Sequence, residues 1–287
     1  MIPGSFDYHR PQSVAEAVRL LADLGDEARV VAGGHSLIPM MKLRMAVPEH
    51  LIDLQAIGEL RGITIANGSI TIGAMTTQAE LIASAPLAAG CPIIRETALQ
   101  IADPQIRNLG TLGGNVANGD PGNDMPAVMQ ALDAWYLVQG PDGNRRIAAR
   151  MFYDGAFATA LEEGEILTAI RFAVPPSGHG QAYLKQKRKI GDYATAAAAV
   201  VLAMADGRCT YAAIGLTNVA DTPLHAEMAA QALIGTPVDD ASVNLAAMAA
   251  EAIARPAADG RGPAEFRKKL TGVMVRRAIQ RALTRAK

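Results

Sequence analysis

Residues 1–55 alternate between a helical and a strand-like spacing of apolar positions. Over 13–25 the apolar residues recur every three to four positions, Ser13 with Glu16 predicts a capping box, and Gly25 predicts the helix end. Short β-branched runs follow, separated by a second helical stretch. The predicted elements are a helix over 13–25, a strand over 28–32, a helix over 36–44 and a strand over 51–54. Together they predict a compact βαβ unit.

A second region over 56–177 opens with two alternating runs joined by Asn67-Gly68, a strong hairpin signal. Residues 103–124 are rich in Gly, Asn, Asp and Pro and are predicted to lack regular structure. A passage of that length inside a domain usually has a function. The other predicted elements are helices over 77–83, over 93–101 and from 125, and strands over 134–138, 145–149 and 166–172.

Residues 175–180, with two prolines and two glycines, are the best linker candidate, so we place a domain boundary after residue 177. The last region, 178–287, combines strands with a helix-rich tail expected to pack on their sheet. Its predicted strands cover 182–189, 197–203 and 209–216, and its predicted helices cover 224–233, 242–253 and 264–287. The overall fold class is therefore α+β.

Charge and cysteine content exclude several classes of protein. The formal net charge is -1, which favours neither nucleic acid nor anionic lipid as a partner of the whole chain. The two cysteines are too few for a four-thiolate cluster, so any iron-sulfur chemistry must belong to another chain. The apolar run over 194–205 is shorter than the ~20 residues of a membrane span, and no signal-peptide core is apparent. The expected location is the cytoplasm.

Two glycine clusters are the main candidates for chemistry. The first is Ala32-Gly33-Gly34-His35-Ser36, after a strand, and the second is Thr111-Leu112-Gly113-Gly114-Asn115. Such turns expose backbone N–H groups and suit a pyrophosphate, although each could also be an ordinary turn. Neither is a G-x-G-x-x-G with a following acid, and no P-loop sequence occurs.

At this spacing the clusters resemble those of the flavin-binding subunits of the molybdenum hydroxylase family, which carry A-G-G-x-S and T-[IVL]-G-G-N motifs. The similarity runs along the whole chain and is greatest to the carbon monoxide dehydrogenase branch of that family. The stretches that carry it are IPGSFDYHRPQSVAEAV, AGGHSLIPMMKLRMAVPEHLIDL, IADPQIRNLGTLGGNVANGDPGNDMPA and KRKIGDYATAAAAVVL.

The resemblance implies a PCMH-type FAD-binding domain in two α/β parts, 1–55 and 56–177, followed by a smaller C-terminal α/β domain over 178–287. It also implies non-covalent FAD, with both glycine clusters at the pyrophosphate. The implied FAD-binding residues are Ala32, Gly33, Gly34, His35, Ser36, Ile101, Thr111, Leu112, Gly113, Gly114, Asn115, Asp124, Leu167, Lys185 and Tyr193. No catalytic residue and no metal ligand is assigned.

Four of these residues have an alternative interpretation. Asp124 precedes Met125-Pro126 and could equally be a helix N-cap. Lys185 opens the basic run K-Q-K-R-K, which is typical of a solvated or docking strand face. Ile101 could simply be core, and Tyr193 could be a turn aromatic that covers the core.

The resemblance implies an electron-transfer subunit that does not itself oxidise substrate. The implied partners are a large subunit with the molybdenum cofactor and a small subunit with two [2Fe-2S] clusters, assembled as a dimer of heterotrimers. The implied acceptor is a quinone-type molecule, which would allow peripheral contact with the inner face of the cytoplasmic membrane.

Three alternatives remain open at this point. A sister enzyme acting on aldehydes, purines or N-heterocycles could use the same kind of flavin subunit. A cofactor-free interaction module would need the glycine turns to be purely structural. A stand-alone flavin oxidase would need a catalytic base that the sequence does not offer.

Overall fold

The structure is a computed structural model that describes residues 2–287. Its first part is a three-stranded parallel sheet in the order β1-β3-β2. The elements are β1 (Asp7–His9), α1 (Val14–Leu24), β2 (Ala28–Val31), α2 (Leu37–Lys42) and β3 (His50–Asp53). Because β2 and β3 are parallel and α2 connects them, the predicted βαβ unit is confirmed.

The start of α1 differs slightly from the predicted capping box. Ser13 Oγ accepts from the Glu16 N–H at 3.2 Å, as predicted. The Glu16 carboxylate, however, accepts from the backbone N–H of Gln12 at 2.8 Å, one residue before the N-cap. Gly25 ends the helix with a φ of 54°, a value that glycine adopts without strain.

The second part is a five-stranded antiparallel sheet in the order β4-β5-β10-β6-β7, with helices packed on it. Asn67 and Gly68 both have positive φ, as a type I′ hairpin turn requires, so that prediction is confirmed. The strands are β4 (Ile63–Ala66), β5 (Ser69–Gly73), β6 (Trp135–Gly140), β7 (Gly143–Ala148) and β10 (Ile166–Ala173), with a separate pair β8 (Tyr153–Gly155) and β9 (Ala158–Thr159). The helices are α3 (Gln78–Ala83), α4 (Ala85–Gly90), α5 (Pro92–Ala98), α6 (Pro104–Leu109), α7 (Leu112–Ala117) and α8 (Asp124–Ala131).

The prediction that 103–124 lacks regular structure is wrong. Asp103 accepts from the Ile106 N–H at 2.9 Å and starts α6, with a proline in its first turn. Thr111 accepts from the Gly114 N–H at 3.0 Å and starts α7. The capping side chains offset the low helix propensity of the surrounding Gly and Asn residues.

The third part is a four-stranded antiparallel sheet in the order β11-β12-β13-β14. The elements are β11 (Gly180–Gln186), β12 (Ala196–Ala205), β13 (Arg208–Thr217), β14 (Leu224–His225), α9 (Glu227–Gln231), α10 (Asp240–Ile253) and α11 (Ala264–Leu283). The helix predicted over 224–233 begins only at Glu227, because Leu224 and His225 pair with β13 instead. The helical tail packs on the sheet, as expected.

Strand β12 is buried on both faces and joins two cores. Ala197, Ala199 and Val201 belong to the core of the second part, together with residues of α5 and α8. The alternate positions, Ala198 and Val200 among them, pack with α10 and α11. Small side chains let the layers approach closely: a Cβ on Gly215 of β13 would collide with the Ala127 carbonyl of α8. The C-terminal sheet is therefore an inner layer of the molecule.

Within residues 2–287, every helix is too short or too polar to span a membrane. Residues 174–179 connect β10 to β11, where the sequence places the linker. The boundary after residue 177 stays a prediction.

Candidate cofactor site

A cleft of about 680 Å³ lies where the three parts of the chain meet. Of the fifteen residues singled out from the sequence, all except Leu112 line it. The lining comes from the β2–α2 turn, the α6–α7 region, β10, β11 and the loop after β11. Residues separated by more than a hundred positions thus face one cavity, of a size typical for small-molecule sites.

The first cluster provides free hydrogen-bond donors. Among the described residues, no protein acceptor pairs with the backbone N–H groups of Gly33, Gly34, His35 or Ser36. Gly34 has a φ of +74°, which turns the chain from β2 into α2. Ser36 occupies the N-cap position but makes no side-chain cap bond. These N–H groups form a concave donor set for an anion.

The second cluster differs from the open turn that the sequence suggested. Four of its five backbone N–H groups are already bonded within the protein. Leu112 donates to Thr76, Gly113 to Ala74 at 2.8 Å, Gly114 to the Thr111 hydroxyl and Asn115 to the Thr111 carbonyl. The Leu112 side chain is fully buried in the core and points away from the cleft. This cluster is therefore one wall of the cleft rather than a second set of free donors.

Glycine is required in both clusters because backbone segments touch there. A Cβ on Gly33 would collide with the Leu109 carbonyl and lie 2.7 Å from the Gly110 Cα. A Cβ on Gly113 would lie 2.5 Å from the Ala74 Cβ. Real Cβ atoms do not approach other atoms so closely. Gly33 therefore lets the first cluster lie against the residues directly before the second cluster, and Gly113 lets the second cluster lie against Ala74.

A buried network of three side chains forms another part of the site. Lys185 Nζ lies 2.8 Å from Asp124 Oδ2, and the Tyr183 hydroxyl donates to Asp124 Oδ1 at 2.5 Å. The Asp124 and Lys185 side chains are 5% and 1% exposed. Both alternative interpretations are therefore wrong: Asn123 holds the N-cap position of α8, and Lys185 is not on a solvated face.

Burial controls the electrostatics of this network. It raises the pKa of the Asp124 carboxyl above its usual range, and Lys185 acts in the opposite direction. Burial also raises the pKa of Tyr183 well above its ordinary value. Sequence reasoning missed Tyr183, although it precedes Lys185 by two positions on a strand and so shares its face.

Apolar side chains and one aromatic ring line the rest of the cleft. Ile101 and Leu167 belong to the core and also border the cavity. Ile101 is therefore both a core residue and part of the cleft wall. Tyr193 is 42% exposed, and its ring packs where a Cβ on Gly122 would lie. It borders the cleft and Arg261 stacks near it, 5.8 Å from the ring centroid. Tyr193 is thus not simply a cover for the core.

Two further polar residues of the cleft were not anticipated. Asn123 donates to the Asn115 carbonyl at 2.8 Å, while Asn115 Oδ1 accepts from the Met125 N–H, so this pair ties α7 to α8. Gln78, at the start of α3, is 1% exposed and lines the cleft. No local sequence pattern marks Gln78, because its partners, Gly110 and Thr111, are more than thirty positions away in the chain.

The composition of the cleft fits FAD. Free backbone N–H groups beside the start of α2 suit a diphosphate, and the apolar walls with Tyr193 suit a flat aromatic ring. No group of three or more His, Cys, Asp or Glu residues in the described chain could hold a metal ion.

Two family models cover nearly the whole chain. Residues 4–175 match the FAD binding domain in molybdopterin dehydrogenase, and residues 181–282 match the CO dehydrogenase flavoprotein C-terminal domain. The chain belongs to the flavoprotein family of the molybdopterin dehydrogenases. Membership in this FAD-binding family removes the support for a cofactor-free interaction module.

Full-length relatives and a solved structure show the same family. The chain is 64% identical to the carbon monoxide dehydrogenase medium chain of Afipia carboxidovorans, over 100% of both chains. It is 48% identical to the medium chain of the same name from Hydrogenophaga pseudoflava, over 99% of both. The crystal structure of the cyanide-inactivated Cu,Mo-CO dehydrogenase contains a chain with a TM-score of 0.99, 64% identity and 100% coverage of both chains. The two-domain fold of this flavoprotein family is thus shown.

Proposed function

We propose that the chain is the FAD-binding electron-transfer subunit of an aerobic carbon monoxide dehydrogenase. The observation that carries the proposal is the 64% identity over full length to a medium chain of that name, combined with a cleft whose donors and walls fit FAD. In this role the chain does not itself oxidise carbon monoxide. FAD, when bound, accepts electrons and passes them on, and the protein positions it.

Within the cleft, the first cluster binds the diphosphate. The N–H groups of Gly33, Gly34, His35 and Ser36 have no acceptor within residues 2–287 and precede the start of α2, where the helix adds partial positive charge. The second cluster contributes mainly shape, since four of its five N–H groups are already bonded. His35 contributes its backbone and forms no covalent bond to the flavin.

The other implied residues orient the remainder of the cofactor. Asp124 and Lys185 present a buried, paired acceptor and donor, and Tyr183 fixes the Asp124 carboxylate. Ile101, Leu167 and Tyr193 exclude water from the flavin ring. A dry site strengthens each polar contact to the flavin and so helps to set its reduction potential.

Electrons reach the flavin from outside the chain. Both cysteines are buried and unpaired, and the chain has no others, so iron-sulfur clusters must lie in a partner. We assign the molybdenum cofactor to a large subunit and two [2Fe-2S] clusters to a small subunit, in a dimer of heterotrimers. A quinone-type acceptor then receives the electrons, with the complex in peripheral contact with the inner face of the cytoplasmic membrane.

The test is to purify the chain from its host with its co-purifying subunits and identify the cofactor released by acid. FAD, molybdenum and iron-sulfur subunits together with quinone-analogue reduction driven by carbon monoxide would support the proposal. The balanced reaction to measure is CO + H₂O giving CO₂, two protons and two electrons. Reduction by an aldehyde, purine or N-heterocycle but not by carbon monoxide would instead identify a sister enzyme. Absence of flavin would contradict the proposal altogether.

A further inference from the structure

Gln78 is a buried residue in the wall of the cleft, and the oxygen of its side-chain amide lacks a hydrogen-bond partner within the described chain. Its Nε2 donates to the Thr111 carbonyl at 3.2 Å, and its backbone N–H donates to the Gly110 carbonyl at 2.9 Å. Its Oε1 has no hydrogen-bond partner. Exchanging the amide oxygen and nitrogen does not remove the problem, because a backbone carbonyl can only accept and must face the nitrogen.

An unpartnered buried acceptor destabilises the folded chain, so proteins rarely contain one without a reason. In the described chain only one other buried side-chain polar atom, Arg261 Nε, shares this condition. Gln78 lines the cleft that fits FAD, and the missing partner of Oε1 must be a donor. Oε1 is closed to solvent in this structure, so a donor on a bound ligand reaches it when the end of the Gln78 side chain shifts towards the cleft.

The position of Gln78 limits which part of the ligand it meets. Its two hydrogen bonds tie it to Gly110 and Thr111, and Gly110 packs directly against Gly33 of the diphosphate-binding cluster. A diphosphate is an acceptor at neutral pH and cannot donate to Oε1. The groups next to a diphosphate in FAD are the ribityl chain and the adenosine ribose, and both carry hydroxyl donors.

We infer that Gln78 is a further cofactor-binding residue, whose Oε1 accepts a hydrogen bond from a hydroxyl of the ribityl or ribose unit of FAD. This inference rests on the proposed function. Gln78 then adds affinity through one buried hydrogen bond and fixes the polyol relative to the second cluster. It makes the cleft selective for a ligand with a hydroxyl at that place.

Gln78→Met tests the role because methionine has a similar length and no acceptor. The Thr111 carbonyl keeps a donor in the variant, since it also accepts from the Asn115 N–H at 3.1 Å. Gln130→Met is the matched control. Gln130 is also buried and donates to a backbone carbonyl, that of Ala149 at 3.0 Å, but does not line the cleft.

The measurement is the Kd of FAD for the full chain in its complex, after removal of the flavin. The same titration uses FAD analogues that each lack one ribityl or ribose hydroxyl. We expect Gln78→Met to raise the Kd of FAD about tenfold, the effect of one buried hydrogen bond. One analogue should bind the original protein about tenfold more weakly than FAD does. The Kd of that same analogue should rise little further when Gln78 is replaced by Met.

The outcomes separate this inference from the proposed function. If the original protein does not bind FAD, the proposed function fails and the inference with it. If it binds FAD and Gln78→Met leaves the Kd unchanged, only the inference is overturned. It is also overturned if, for every analogue, the binding free energy lost by the substitution adds to that lost by removing the hydroxyl. Equal weakening of FAD binding by Gln130→Met and Gln78→Met would overturn it as well.

Discussion

Asp124 and Lys185 show how single residues define this cleft. Taking both charges out of water costs several kcal/mol per ion, and their pairing offsets that cost only when the geometry is good. Here the ion pair is 2.8 Å long and Tyr183 satisfies the second carboxylate oxygen. A pair of apolar residues could fill the same space, so the pair is best explained by what it presents to the cleft.

Lys185→Met should strongly destabilise the protein. The substitution leaves the Asp124 carboxylate buried without its counter-charge, which typically costs about 3–5 kcal/mol. Urea unfolding measures the change. Lys189→Met, in the same basic run but exposed, should change the free energy of unfolding by no more than about 0.5 kcal/mol. Equal effects of the two substitutions would contradict the structural role of the ion pair.

At the scale of elements, Gly33→Ala should separate the first glycine cluster from the residues that lead into the second. The new Cβ would collide with the Leu109 carbonyl, so the β2–α2 turn must move away from the α6–α7 region. We expect a loss of most bound FAD, measured as flavin released per chain by acid. Gly58→Ala is the control, because a Cβ there meets nothing within 4 Å. Full flavin content in Gly33→Ala would disprove the close contact between the clusters.

Elements with a local signal could be predicted from the sequence, whereas elements that depend on tertiary partners could not. Ser13 and Asn67-Gly68 specify a helix start and a hairpin turn within a few residues. The short helices α6 and α7 were missed, since their glycines and asparagines resemble a loop. Likewise β14 forms only because β13 is available to pair with it.

The same distinction applies to the site. The glycine clusters are visible as motifs, but their contact through Gly33 and Gly110 depends on the whole fold. The roles of Asp124 and Lys185 follow only from a family resemblance, because residue types alone leave a helix cap equally open for Asp124 and favour a solvated or docking strand face for Lys185. Gln78 and Tyr183 act through partners that are distant in sequence, so no local pattern marks them.

For the whole molecule, the Arg145–Glu165 ion pair predicts a dependence of stability on pH. Arg145 donates to both Glu165 oxygens, at 2.5 and 2.7 Å, and these bonds lower the pKa of the Glu165 carboxyl below its usual range. The pair's contribution is therefore complete above about pH 5 and is lost as the pH falls through the lowered pKa. The expected size is about 1 kcal/mol, because Arg145 is partly solvated.

Thermal unfolding between pH 3 and pH 7 measures this contribution. Glu165→Gln should lower the melting temperature at pH 7 and make little difference at the acid end. The control is Glu163→Gln, at an exposed carboxylate that forms no ion pair in the described chain. If Glu165→Gln lowered the melting temperature equally at all pH values, the effect would be one of packing and not of ionisation.

The position of the C-terminal sheet predicts that the first two parts cannot work alone. A chain of residues 1–177 lacks Lys185 and Tyr193, and it exposes the apolar surfaces of α5 and α8 that β11, β12 and β13 cover. We expect this fragment to aggregate or to lose near-ultraviolet circular dichroism, and to bind no FAD.

The control for this truncation keeps all residues but breaks the chain, so that it tests whether packing alone holds the parts together. A protease site inserted after the exposed Ser177 allows the folded full chain to be cut in the β10–β11 connection. The two pieces should stay associated in size-exclusion chromatography and keep their FAD, because the double-faced β12 layer joins them. A monomeric 1–177 fragment that unfolds cooperatively and binds FAD would show instead that the C-terminal sheet is dispensable for the site.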